Sequence, residues 1–86
     1  MTNPIEQRLL ELLSLFVGRL PDRDIQNVRS LVVHREWGVG LEILCDQLVE
    51  HSVKVQQQEL ESIRVLVDEM GLSEATWSSL EVGTNG

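Results

Sequence analysis

Apolar residues recur along this chain at three- and four-residue intervals, and short polar or glycine-containing breaks separate the runs that keep this period. Ile5, Leu9, Leu12, Leu13 and Phe16 share one helical stripe, which Leu10 and Val17 widen, so a first helix is expected from about 4 to 17. Asn3 is placed to N-cap it, Pro4 takes the first helical position, and Gly18 is its stop. So wide an apolar arc belongs to a central helix touching several neighbours. After "LPD", Asp22 can accept from the free N–H groups of a second helix whose inner face is Ile25, Val28, Leu31 and Val32. His34 and Arg35 then fall in its last turn, where positive charge suits the helix dipole.

"EWGVGLEILCDQLVE", Glu36 to Glu50, winds a third helix that gathers Trp37, Leu41, Leu44, Cys45 and Leu48 on one face and ends near His51. Trp37 is expected to be largely buried with its indole N–H hydrogen-bonded. Gly38 and Gly40 each cost about 1 kcal/mol relative to Ala in a helix, so their expected use is to let another backbone come close. "SVKVQQQ" separates this helix from a fourth, about 56 to 70, with Leu60, Ile63, Leu66, Val67 and Met70 inward. Gly71 sits where a C′ glycine belongs, and Leu72 can fold back on the last turn. Ser73 is expected to N-cap a short final helix carrying Trp77 and Leu80, and residues 82–86 to fray. No repeat or linker divides the chain. Residues 1–86 therefore read as one compact all-α bundle of four to five helices.

Composition narrows the class. Hydrophobic residues make up 42%, yet the aromatics are two Trp and one Phe, so the core is aliphatic. One Cys cannot form an internal disulfide, which fits a reducing, cytoplasmic setting. The longest apolar-rich segment, Leu9 to Val17, is interrupted by Glu11 and Ser14 and cannot span a membrane. Glu6 ahead of it, with no basic run, argues against a signal peptide.

The formal net charge is −7, and it is unevenly placed. Met1 to His34 balances four Arg against four acids; Arg35 to His51 sets one base against four acids, and Ser52 to Gly86 two against six. Such a field repels nucleic-acid phosphates and anionic membranes and draws basic partners inward. Within it, Glu42, Asp46 and Glu50 line up along the third helix with no Lys or Arg among them. Like charges four residues apart repel by a few tenths of a kcal/mol per pair. The fourth helix shows the ordinary arrangement, with Glu61, Arg64 and Asp68 alternating in sign. The contrast makes Glu42, Asp46 and Glu50 candidate partner-binding residues, against the blander reading of a solvated face. A structural alternative pairs Glu42 and Asp46 with Arg23 or Arg29 of the neutral half.

Chemistry of other kinds finds no constellation. Cys45 lies on the apolar face and reads as a small buried hydrophobe, and His51 points about 120° away from it around the helix. His34 and His51 read as dipole-complementing end residues. No His joins Glu42, Asp46 and Glu50 at metal-ligand spacing, and "GVG" lacks both the third glycine and the preceding strand of a phosphate loop. No catalytic residue, metal or cofactor is expected.

Trp37, Gly38, Leu41, Glu42, Leu44, Cys45, Asp46, Leu48 and Glu50, followed by a short polar connection, a helix ending "MGL" and a Trp soon after, resemble the MafI family of small bacterial immunity proteins. The resemblance covers roughly Arg35 to Leu80. It implies an inhibitor rather than an enzyme, one that binds the toxic C-terminal domain of a polymorphic toxin in the cell that makes it. Toxins of such systems are frequently nucleases with basic grooves, for which an acidic helix is a natural plug. The core residues in the pattern define the fold and say nothing of the target.

The rival reading is a small acidic adaptor or chaperone-like module forming a homodimer through the first helix. Leu15 falls outside the main apolar arc there, and with Leu12 it would extend an exposed apolar patch, a mark of association.

Overall fold

The computed structural model describes residues 4–83. It is an all-α bundle of α1 (Pro4–Ser14), α2 (Asp22–Val33), α3 (Trp37–Glu50) and α4 (Gln57–Glu69), followed by one 3-10 turn at Glu74–Thr76. The Cα radius of gyration of 12.0 Å matches the roughly 12 Å of a compact chain of this length. The expected cap Asn3 lies outside the described residues.

α1 touches α2, α3 and α4, as its wide apolar arc requires, while α2 lies along α3 and the 3-10 turn bridges α3 and α4. Leu9, Leu12, Leu13 and Phe16 of the first segment meet Ile25, Val28 and Val32 of α2, the inner face of α3, and Ile63, Leu66 and Val67 of α4 in one aliphatic core. α1 ends earlier than its sequence pattern. The N–H groups of Leu15, Phe16 and Val17 bond to Leu12, Leu13 and Ser14, three residues back, and Gly18 turns the chain at φ +84°. This tighter winding breaks the helical phase. Phe16 stays inside, but Val17, expected on the stripe, is 56% exposed.

α2 also starts differently from its sequence pattern. Pro21 is the N-cap residue and no side chain caps the helix. Asp22 is its first residue, where its charge still suits the positive end of the dipole. Leu31, expected inward, is only half-buried.

Three helices end alike. After α4, Gly71 N–H bonds to Asp68 C=O and Leu72 N–H to Val67 C=O, with Gly71 at φ +67°, the paired closure its glycine predicts. α2 and α3 close in the same way through Arg35–Val32 and Glu36–Leu31, and through Ser52–Val49 and Val53–Leu48. There the left-handed position is held by Arg35 (φ 67°) and Ser52 (φ 53°), residues that pay for it sterically.

Gly40 lets α3 pack closely on α2. A Cβ there would lie 3.2 Å from Val32 Cγ2, 3.6 Å from Leu31 Cβ and 3.8 Å from the Val28 carbonyl oxygen, the close approach expected of it. Gly38 is looser, with only Leu72 Cδ2 at 3.4 Å. Trp37 donates its indole N–H to Val32 C=O at 3.0 Å, but it is half-buried rather than largely buried, packed on the rim of the core. Ser73 caps as expected, accepting from Ala75 N–H at 3.1 Å, yet the helix it starts is a single 3-10 turn ending at Trp77. Of the segment 82–86 expected to fray, residues 82 and 83 are described. Val55 donates its N–H to Glu81 C=O and accepts from Gly83 N–H, both at 2.8 Å, which ties the end of the described chain to the α3–α4 connection. Residues 84–86 lie outside the described range.

Candidate functional site: the outer face of α3

The inner side of α3 is sealed: Leu41, Leu44, Cys45 and Leu48 are each at most 1% exposed. That packing fixes the rotation of the helix and so fixes what faces outward. Glu42, Asp46 and Glu50 are all exposed, one turn apart from one another. Val39 and Val49, each 44% exposed, fall within the same roughly 100° arc. The outer face is thus a row of carboxylates with an exposed valine toward each end.

Among the described residues no hydrogen bond or ion pair engages the side chains of Glu42, Asp46 and Glu50. Arg23 and Arg29 are exposed and likewise make none. The internal pairing that would have absorbed the acids into the fold does not form. The three carboxylates stand on a rigid helix as an unneutralised field.

Charges elsewhere behave differently, and sequence reasoning missed the most organised of them. Arg19 forms a two-pronged pair with Glu59, Nη1 to Oε2 at 2.7 Å and Nη2 to Oε1 at 3.1 Å. Its Nη2 also donates to Lys54 C=O at 2.7 Å, and the guanidinium lies 4.7 Å from the Phe16 ring centroid. Glu59 is 6% exposed and accepts from Gln56 N–H at 2.8 Å, closing the first turn of α4. Burial pushes its carboxyl pKa up, but the Arg19 hydrogen bonds, the Gln56 N–H and the guanidinium charge outweigh that and hold it below the usual range. The one local signal was "QQQE", where a Glu at the third helical position reaches back to the cap. Arg8 and Glu69 join α1 to α4 at 2.6 Å. His51, read from sequence only as a dipole-complementing end residue, also holds Asp24 of α2 at 3.0 Å.

Cys45 is buried as expected. Burial first, then the charges of Asp46 and Glu42, push its thiol pKa up to about 12, which keeps it protonated and unreactive at neutral pH. Among the described residues no group of three or more His, Cys, Asp or Glu is placed to hold a metal ion, and no helix is long and apolar enough to cross a membrane. Open grooves lie between elements of the described surface. One, of about 330 Å³ between α1 and α4, is lined by Arg8, Glu11, Leu12, Leu15, Ser62 and Leu66; Leu15 is 51% exposed there, while Leu12 is buried. Another, of about 270 Å³, lies between α4 and the 3-10 turn, lined by Arg64, Val67, Asp68, Leu72, Glu74 and Trp77. Comparison with protein-family models, curated proteins and solved structures finds no match for this chain.

Proposed function

We propose that the chain is a non-enzymatic immunity protein that binds the toxic C-terminal domain of a cognate polymorphic toxin in the cytoplasm and keeps it inactive, the toxin being a nuclease with a basic groove. The observation that carries the reading is the unpaired row Glu42, Asp46 and Glu50 on a helix whose other side is locked into the core. A fixed field of one sign speeds encounter with a basic surface and sets its register. The resemblance of residues 35–80 to the MafI family, whose pattern includes these three acids, supports the same reading.

The first test is the gene immediately upstream, where a large secreted protein with a variable C-terminal domain is expected. Co-production with that domain is then expected to rescue growth and give a stable complex, and a different upstream gene would count against the immunity reading. Replacing Glu42, Asp46 and Glu50 with Gln, Asn and Gln keeps shape and removes charge; association is then expected to slow and its salt dependence to flatten. Unchanged association kinetics would move the interface off α3, and absence of any complex would remove the immunity reading.

The exposed Leu15 beside the α1–α4 groove favours a second reading, an acidic adaptor that dimerises through α1. A dimeric mass in sedimentation that Leu15→Lys abolishes, with no toxin complex, is its signature.

A further inference from the structure

The acidic face of α3 does not stop at Glu42. Gly38 stands one turn before Glu42 on the same side of the helix, and the Leu72 side chain approaches Gly38 to 3.4 Å from the position of a Cβ. Leu72 is also a wall of the groove between α4 and the 3-10 turn. The two features therefore adjoin, with Leu72 as the ridge between them.

Inside that groove the half-buried Trp77 packs against the core, and the Arg64 guanidinium lies over its ring, 4.7 Å from the centroid. Arg64 is loosely held. Its side chain is 48% exposed, and its only charged neighbour among the described ion pairs is Glu61, at 3.7 Å. Asp68 and Glu74 line the same groove, and no ion pair involves either among the described residues. The chain thus supplies its own guanidinium to an indole face in a groove that two carboxylates without an ion-pair partner among the described residues also line.

We infer that this groove is a docking site for an arginine side chain of a basic protein partner, which displaces Arg64 from Trp77 and pairs with Asp68 or Glu74. The inference rests on the proposed partner-binding role of the adjoining α3 face and gives that surface an anchor. Trp is the residue type that most often carries binding energy when partly desolvated, and a guanidinium over its ring is its favoured cation. The carboxylates of α3 attract the partner, and the Trp77 groove holds one side chain of it.

Nona-arginine is the probe, titrated into the full chain at about 0.15 M salt, where exposed charges more than about 8 Å apart are largely screened. Binding is followed by NMR at the two indole N–H groups, assigned with Trp37→Phe, and at the backbone amides. The expected result is a saturable shift of the Trp77 indole and of the Asp68, Glu74 and Glu42 amides, with the Trp37 indole and the Glu6 and Glu11 amides unmoved. Arg64→Gln frees the ring and is expected to tighten binding about two- to fivefold. Arg23→Gln, the same change of charge on α2, is expected to tighten it distinctly less. Trp77→Leu is expected to weaken it by a similar two- to fivefold factor; should that variant not fold, the two arginine variants still decide. Equal effects of Arg64→Gln and Arg23→Gln, or shifts spread evenly over all acids, would overturn the inference in favour of bulk attraction. Saturable peptide binding without any toxin complex would leave the groove standing and remove the immunity reading; a toxin complex indifferent to Arg64→Gln and Trp77→Leu would do the reverse.

Discussion

The seam between α1 and α4 and the outer face of α3 carry similar residue types and treat them in opposite ways. At the seam Arg8 meets Glu69, and Arg19 meets Glu59 with a backbone N–H and a backbone carbonyl completing the set. On α3 three carboxylates have no hydrogen-bond or ion-pair partner among the described residues. A paired, partly buried charge is committed to the fold, since removing its partner leaves a desolvated group behind. An unpaired, exposed charge contributes little to stability and is free to act on another molecule.

The largest effect that can break this contrast is at Glu59. Glu59→Gln is expected to cost about 2–3 kcal/mol in chemical denaturation, below the range for a fully buried pair because the Arg19 side chain is 32% exposed. The effect has a pH signature. The folded-state pKa of Glu59 is lowered, so its contribution is complete above the unfolded carboxylate pKa, about 4.3, and is lost as pH falls through the lower folded value. The stability gap between wild type and Glu59→Gln is therefore expected to be constant at neutral pH and to close in acid. A gap that persists at the lowest pH would mean that the loss comes from the amide's poorer hydrogen bonding to Arg19 and Gln56 rather than from the carboxylate's charge.

A smaller effect is expected at the exposed pair. The Arg8 and Glu69 side chains are 38% and 42% exposed, so Arg8→Gln should lower the unfolding free energy from chemical denaturation by less than about 1 kcal/mol, and less still at high salt. The smallest effect on the free protein, and of opposite sign, is expected on α3. The triple neutral variant of Glu42, Asp46 and Glu50 should hold or gain a few tenths of a kcal/mol per relieved pair. A clear fall in its melting temperature would place those acids in the fold after all and erase the contrast.

How much of this was legible in the sequence follows the range of each interaction. α3 and α4 were readable almost to the residue because a single period runs through each, and Gly71 marked the end of α4 by a local backbone requirement. Val17 was misplaced because a few i→i+3 hydrogen bonds shift the phase, and no side chain announces them. The alignment of Glu42, Asp46 and Glu50 is a property of one helix and could be written down from spacing. That they remain unpaired is a property of the packing of α2 on α3. Arg19 and Glu59 are 40 residues apart in sequence, and only the docking of the α1–α2 connection against the start of α4 brings them together. The Trp77 groove likewise needed the 3-10 turn to fold back on α4.

The clasp at Val55 has a consequence for how the molecule opens. Its side chain is 0% exposed, and both its backbone polar groups are engaged by the segment at Glu81 and Gly83. One residue before it, the carbonyl of Lys54 is held by Arg19. Peeling Glu81–Gly83 away would strip Val55 of two hydrogen bonds while leaving an apolar side chain buried beneath an unsatisfied peptide. The segment Glu81–Gly83 and the α3–α4 connection are therefore expected to exchange their amide protons as one cooperative unit, slowly and together, although neither belongs to a helix.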